Sequence, residues 1–416
     1  MKVLVVGKGG REHALITAIH ESPTETEIYS FPGSDAIFEI AKQTDATDLL
    51  SLIEFMVREK IELCVAGEES YLVTGEGLAD CCHKVGVPCW GPVKASAHLE
   101  ASKEFAKKFM VRHGIPTGGA TAASDENEAW KAITSYPVVL KFDGLAAGKG
   151  VVICEDKAAA ASFLDEVFVQ RRFGEGRVLV EEFLTGPEVS IFVSVVDDDY
   201  QILTPARDYK RIGDNDEGLN TGGMGAVAYR QLIGAEMLEQ IEDVAIKPTV
   251  AGLIADDLPY RGFLYFGFML TSDGPKLLEY NCRFGDPECQ AVMPLIGGDF
   301  VKYLDDGAKG KLNSETIELN DGWSVCLILA SAGYPVSSRS GDPVSGLGDV
   351  EGVRVYHAGT KRNEEGVFET NGGRVLAVVA LGESREAARD QVYREAAKID
   401  FPGAQHRSDI ATLHFE

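Results

Sequence analysis

The sequence predicts an α/β unit at the amino-terminal end followed by α+β lobes, and three observations carry that reading. Over the first hundred residues, apolar strand-like runs alternate with helical stretches, an order that builds a parallel sheet with helices on both faces. Gly91-Pro92 then breaks the alternation. Beyond it, short strands gather around isolated helices, the pattern of α+β lobes. The chain has 416 residues, 45% hydrophobic and 25% charged, enough for several buried cores.

Taken in order, Lys2–Val6 is the first strand, an apolar run ending at Gly7 and far too short for a signal-peptide core. A helix from about Arg11 to His20, a strand Glu27–Ser30, a helix near Asp48–Lys60 and strands Ile61–Ala66 and Val87–Trp90 follow. Ser96–His113 is expected as one helix, with Phe105 and Phe109 at i,i+4 and Gly114 as its stop ahead of Pro116. Strands Val138–Phe142, Val151–Cys154 and Val178–Phe183 around a helix Lys157–Gln170 make a small lobe. A larger unit adds strands Val189–Val196 and Gln201–Ala206, a helix from about Ala235 to Ala255, and strands Phe263–Leu270 and Pro275–Asn281. The polar stretch Gly310–Gly322 reads as a linker to a C-terminal mixed α/β lobe with strands Trp323–Ala330, Arg354–Ala358 and Gly373–Ala380. The expected division is therefore 1–100, 101–310 with the small lobe at about 117–186, and 322–416.

Composition narrows the function. Lys plus Arg total 40 against 65 Asp plus Glu, a net charge of −25. Nucleic-acid binding depends on basic residues neutralising phosphates, so nucleic acid is excluded as the main partner. Any phosphate ligand must be held by a local basic or metal site. No run of about 18 apolar residues exists, so no membrane span is expected. None of the eight cysteines forms a Cys-x-x-Cys pair and several sit in apolar runs, which reads as buried free thiols in a reducing cytoplasm.

Four stretches carry chemistry. Gly7-Lys8-Gly9-Gly10-Arg11-Glu12-His13 joins the first strand to the first helix, where glycines and the helix dipole favour a phosphate. It is not a dinucleotide fingerprint, because Glu12 occupies the place of the last glycine and the second strand ends in Ser30 instead of an acid. Val138–Val151 places Lys141 in a strand before a glycine loop bearing Lys149 and then a second strand. The glycine spacing, Gly150 in place of Ser or Thr, and the following strand exclude a P-loop; a hairpin closing over polyphosphate fits. In Leu277–Glu288, an apolar strand ends in Glu279, Asn281 and Arg283 on one face. Glu279 and Asn281 are hard ligands suited to magnesium, and the Arg283 fork suits a carboxylate or acyl phosphate. Acids at Glu181 and Glu188 can meet an adenine amino group or ribose hydroxyls. The stretches Asp208–Arg211 and Asn220–Gly225 flank a loop whose glycines suit close approach to a ligand.

Together these stretches resemble the ATP-grasp superfamily, and within it the glycinamide ribonucleotide synthetases of purine biosynthesis. The resemblance runs nearly end to end: Gly9-Gly10-Arg11-Glu12-His13-Ala14-Leu15, Asp143-Gly144-Leu145-Ala146-Ala147-Gly148-Lys149-Gly150-Val151, Asn220-Thr221-Gly222-Gly223-Met224-Gly225-Ala226 and Asn281-Cys282-Arg283-Phe284-Gly285-Asp286-Pro287-Glu288. His357–Lys361 and Asn371–Leu376 continue it. The sequence departs from the family pattern at Lys8, where Asn is usual, at Phe142, where Ala is common, and around Glu68–Tyr71, which lacks two prolines. The resemblance implies a preATP-grasp domain, an ATP-grasp core with a hinged lid lobe, and a cytoplasmic monomer. It implies ATP-dependent joining of glycine to 5-phosphoribosylamine through glycyl phosphate. ATP would be held by Lys103, Lys141, Gly144, Gly148, Lys149, Gly150, Glu181 and Glu188, with Mg²⁺ or Mn²⁺ on Glu279 and Asn281. Arg283, Lys149 and Asp208 would be catalytic; Arg283 would hold the glycine carboxylate and Asp208 orient the amine. Gly9, Gly10 and Glu69 would lie by the ribose 5-phosphate. The Gly144–Gly150 loop would close as a lid, since glycyl phosphate hydrolyses if water enters. A different ATP-grasp substrate is disfavoured by the Asn281–Glu288 run, an NAD-dependent oxidoreductase by Glu12 and Ser30, and an inactive relative by the presence of Lys141, Glu279, Asn281 and Arg283.

Overall fold

A computed structural model describes residues 1–144 and 150–412. Strand Lys2–Gly7 lies at the centre of a five-stranded parallel sheet. Val3 sits opposite Ile28 of strand Glu27–Pro32 on one side and opposite Leu63 of strand Leu63–Ala66 on the other. Val3, Leu4, Val5 and Val6 are all buried, because helices cover both faces of such a sheet. The chain leaves the central strand in one direction and returns on its other side, so a crevice opens at its carboxyl end, where ligands of open α/β sheets bind. Its lips are the Gly7–Gly10 turn and the segment entering helix Ser70–Val73. Gly7 adopts φ +140, and a Cβ there would stand 2.3 Å from Glu12 Cγ, so the turn requires glycine.

The expected helix Ser96–His113 is two helices, Lys94–Ala101 and Lys103–Arg112. Ser102 between them is extended (φ −128, ψ 114), and its Oγ accepts a hydrogen bond from Phe105 N at 3.1 Å. A serine hydroxyl competes for backbone donors and so restarts a helix where apolar spacing alone runs straight through. The first of the two helices runs across residue 100.

The small lobe is a four-stranded antiparallel sheet in the order Ala120–Ala123, Val178–Glu182, Val138–Phe142, Val151–Cys154. It has its own core, with Leu140, Phe142, Phe163 and Leu164 buried together. Strand Ala120–Ala123 and helix Glu126–Ala132 are additions to the sequence reading; an alanine-rich strand carries little propensity signal.

The largest sheet runs Gly274–Asn281, Arg261–Thr271, Glu188–Val196, Ala206–Asp208, Gly225–Ala228, Trp323–Ala330, Arg374–Gly382, Arg354–His357. The C-terminal strands thus extend the central sheet, with Ala226 paired to Cys326. The presumed linker Gly310–Gly322 is also structured: Ile317–Leu319 pairs with Ile296–Gly298, and Ile317 is buried. The expected strand Gln201–Ala206 is divided into Asp199–Ile202 and Ala206–Asp208, because Pro205 has no N–H to give the ladder. A bulge in the edge strand sets Glu279 opposite Gly267 but Leu277 opposite Phe268. The extra residue, Leu278, re-aims the strand end that carries Glu279 and Asn281. No helix among the described residues is long and apolar enough to cross a membrane. All eight cysteines are free, and seven are buried.

Candidate active site

A cavity of about 320 Å³ opens where the crevice, the small lobe and the central sheet meet. Arg11 and Glu69 reach it from the parallel sheet, Lys141 and Glu181 from the small lobe, Glu279 and Asn281 from the edge strand, and Arg374 from the C-terminal strands.

Its lobe side is cationic. Glu181 Oε2 lies 3.0 Å from Lys141 Nζ and 3.2 Å from Lys107 Nζ, and all three residues are buried. Lys107 also donates to Thr117 Oγ1 at 2.7 Å. Desolvation works against the Lys141 ammonium, but Glu181 and Glu279 outweigh it and raise its pKa. At Lys107 desolvation wins over Glu181 and the pKa falls. Glu181 Oε1 is buried with no hydrogen-bond partner among the described residues, an acceptor left for a donor such as an exocyclic amine. Lys103 Nζ donates to Gly144 O at 2.8 Å, and the adjoining Ser102 Oγ is 3.2 Å from Asp143 Oδ1. The start of helix Lys103–Arg112 therefore grips the end of lobe strand Val138–Phe142.

Opposite these lysines stands Glu279. Desolvation raises its carboxyl, but Lys141, Lys210 and Lys103 outweigh that and hold it ionised below the usual range. Asn281 satisfies both ends of its amide when the nitrogen donates to Glu100 Oε1 and Tyr280 O, each at 3.1 Å. Its oxygen is then turned away from the acid. One ionised carboxylate and one amide oxygen on a strand end form a hard donor set, which fits a magnesium-type ion.

Arg283 bridges two acids. Its Nε is 3.2 Å from Glu69 Oε2 and its Nη2 is 2.7 Å from Glu100 Oε1. Arg11 reaches the same Glu69 oxygen at 3.4 Å and pairs with Glu12 at 2.6 Å. Desolvation raises the Glu69 carboxyl, but the two arginines bring it down to about 2. For Glu100, desolvation prevails over Arg283, and the pKa rises to about 7. Glu12 Oε2 also accepts from Gly9 N at 2.7 Å, so an acid of the chain occupies the helix N-terminus that a dinucleotide-binder keeps for pyrophosphate.

On the far wall, Asp208 Oδ1 is buried without a partner among the described residues. Desolvation, with Glu288 and Glu188 adding to it, lifts the Asp208 carboxyl well above its ordinary range. Lys210 pairs with Glu188, and Ser190 Oγ donates to Glu288 Oε1 at 3.1 Å. Arg374 donates to Gly222 O and Asp286 O, both at 2.6 Å, and pins the Thr221–Gly225 turn to the Asp286 segment.

Of the residues singled out from sequence, Lys103, Lys141, Gly144, Gly150, Glu181, Glu69, Asp208, Glu279, Asn281 and Arg283 line this one cavity. Glu188 stands behind Lys210. Gly9 and Gly10 abut Asp286 and Gln290, where a Cβ on Gly10 would meet Gln290 Nε2 at 2.8 Å. Gly148 and Lys149 lie outside the described residues. Sequence reasoning missed Lys107, Glu100, Lys210 and Arg374 as site residues. Arg374 lies in a stretch that carries the family resemblance and Lys210 in the Asp208–Arg211 stretch, while Lys107 and Glu100 stand beside recognised residues without a motif of their own.

Comparison with known sequences decides the family. Profiles of the phosphoribosylglycinamide synthetase N domain, ATP-grasp (A) domain and C domain match residues 1–100, 101–289 and 324–413. The chain belongs to the phosphoribosylglycinamide synthetase family. Within it, the chain is 43% identical to the phosphoribosylamine–glycine ligase of Caldanaerobacter subterraneus subsp. tengcongensis, covering 99% of each chain. The crystal structure of the Thermotoga maritima phosphoribosylamine–glycine ligase superposes with a TM-score of 0.85 at 33% identity, over 99% of this chain and 100% of that one. The synthetase fold extends further: the biotin carboxylase domain of Hydrogenobacter thermophilus 2-oxoglutarate carboxylase, crystallised with magnesium ADP, matches at TM-score 0.73 and 20% identity, over 97% of this chain and 91% of that one.

Proposed function

We propose that this synthetase joins glycine to 5-phospho-β-D-ribosylamine, forming N1-(5-phosphoribosyl)glycinamide, ADP and phosphate in de novo purine biosynthesis. The observation that carries the mechanism is the convergence of Lys141, Lys103, Glu279, Asn281, Arg283 and Asp208 on one cavity. A carboxylate is a poor acyl donor, so its oxygen first attacks the γ-phosphorus of ATP. The bond to the bridging oxygen breaks, and ADP leaves glycyl phosphate behind. The ribosylamine nitrogen then attacks the acyl carbon, phosphate departs, and the nitrogen sheds a proton. Phosphoryl transfer of this kind needs positioning and charge neutralisation more than a protein nucleophile.

In this reading Lys141 and Lys103 hold the phosphates, joined by Lys149, Gly148 and the glycines Gly144 and Gly150. Glu181 accepts from the adenine amino group through its unpartnered Oε1, and Glu188 serves the ribose. Glu279 and Asn281 are the residues that would hold Mg²⁺ or Mn²⁺, which when bound supplies further neutralisation of the phosphate oxygens. Arg283 exchanges an acid of the chain for the glycine carboxylate. Asp208 orients the attacking amine through its unpartnered Oδ1, and the departing phosphate carries off the proton that the nitrogen sheds. Gly9, Gly10 and Glu69 lie near the phosphoribosylamine substrate. Residues 1–100, 101–310 with a lid lobe at 117–186, and 322–416 act as the functional domains. The family resemblance favours a monomer, and eight unpaired cysteines suit the cytoplasm.

The test is ADP release from magnesium-ATP with glycine, with and without freshly made phosphoribosylamine. Turnover that needs both substrates is the expected result. Turnover indifferent to glycine overturns the substrate assignment while leaving the ATP chemistry.

A further inference from the structure

Away from the active site, the fold collects three cysteines that the sequence keeps apart. Cys64 lies in strand Leu63–Ala66 and is paired in register with Cys89 of the neighbouring strand Cys89–Trp90. Cys82 comes down on them from helix Leu78–Lys84. The three sulfurs lie within 4.8 Å of one another, and each residue has 0% exposure. Met56 Sδ stands 3.8 Å from Cys82 Sγ. Leu52, Phe55, Leu78 and Ala79 belong to the same apolar core. None of these residues takes part in the ligase chemistry.

We propose that Cys64, Cys82 and Cys89 form a three-sulfur site for a trivalent thiophilic centre, of which arsenous acid is the type. The geometry suits it: a pyramidal atom ~2.3 Å from each of three sulfurs sets them roughly 3.3–3.5 Å apart, within the 4.8 Å spread of the cluster. The surroundings select the ligand by charge. Three thiolates leave two negative charges around a monovalent ion and one around a divalent ion. Around a trivalent centre they leave none. An uncompensated charge is expensive in an apolar core, so the neutral complex is the favoured one. The donor set points the same way. Zinc prefers a fourth sulfur, nitrogen or carboxylate ligand. Among the described residues the cluster has three cysteines, with neither histidine nor carboxylate joining it. The nearby thioether is a soft donor.

The reaction is a condensation without redox change. Three As–O bonds of arsenous acid break and three As–S bonds form. The three thiol protons leave with the three hydroxyls as water. Arsenic stays trivalent.

The experiment uses the full chain, reduced and then freed of small thiols, with sodium arsenite as the probe. Native mass spectrometry is expected to show one arsenic gained and three hydrogens lost per chain, and X-ray absorption three sulfur neighbours. Cys64→Val, which keeps an apolar side chain of similar size, is expected to weaken uptake at least about tenfold. Cys89→Ala gives a second reading should the first variant not fold, as circular dichroism will report. Cys81→Ser, at the partly exposed thiol beside the cluster, is expected to bind as the parent does. No uptake by the folded parent, unchanged uptake by Cys64→Val and Cys89→Ala, or arsenic bound by two sulfurs and an oxygen would each overturn the proposal.

Discussion

Arg283 Nε lies 3.2 Å from Glu69 Oε2, and this one contact ties the edge strand of the central sheet to the crevice of the parallel sheet. With Glu100 on Nη2 and Phe284 O accepting from Nη1, every nitrogen of the Arg283 fork has a partner that fixes it in place. For Arg283→Lys we expect the fold to persist, since a cation still faces Glu69 and Glu100, while glycine-dependent ADP release falls by about 100-fold or more because a single ammonium cannot grip a carboxylate with two parallel bonds. ATP binding should be retained. An unchanged glycine response in steady-state kinetics would remove Arg283 from the glycine site.

Glu279 is the acid that three lysines hold ionised. Glu279→Ala is expected to lower ATP turnover by about three orders of magnitude, the scale for losing a group that places transition-state charge neutralisation. Thermal unfolding should show a folded protein. Normal turnover at saturating Mg²⁺ would end the metal assignment.

What the sequence made legible follows from how local each signal is. Lys141, Glu279, Asn281 and Arg283 were legible because each lies in or just after the end of an apolar strand, where one short stretch defines both structure and chemistry. Glu12, together with Ser30, likewise spoke against a dinucleotide site, and the bond from Gly9 N to Glu12 shows how the first of them acts. Lys107 was not legible: it reaches Glu181 across a helix–sheet contact between residues far apart in the chain. Arg374 enters the site because the C-terminal strands continue the central sheet, a pairing that local patterning does not encode. The break at Ser102 escaped because the apolar residues on either side keep helical spacing, so periodicity hid a cap. The thiol cluster was invisible for the same reason as Lys107, since no cysteine spacing announces it.

Glu100 gives a pH prediction with a definite sign. Burial lifts its carboxyl, Arg283 lowers it, Glu69 lifts it again, and the result is about 7 against an ordinary value of 4.5. Between those two pH values the folded state holds a proton that the unfolded state has released. Stability from this group is therefore complete below about pH 4.5 and declines as pH rises through about 7. Glu100→Gln lacks the titrating group. Urea unfolding of both proteins across this range should show the parent losing stability relative to the variant as pH rises; a difference flat in pH would refute the assignment.

Ser102 does two things at once, and a substitution separates them. Its Oγ caps helix Lys103–Arg112 through Phe105 N, and it also meets Asp143 at the end of the lobe strand that carries Lys141. Ser102→Ala should cost about 1 kcal/mol of stability through the lost cap. Ser102→Asp restores a capping oxygen but sets a second carboxylate against Asp143, and like charges at that distance repel. If the contact with Asp143 positions the lobe over the nucleotide, Ser102→Asp will regain the stability lost in Ser102→Ala and yet raise the KM for ATP further. Thermal unfolding beside ATP titration reads both effects. Equal KM values in the two variants would reduce Ser102 to a cap, because the carboxylate set against Asp143 would then leave ATP binding untouched.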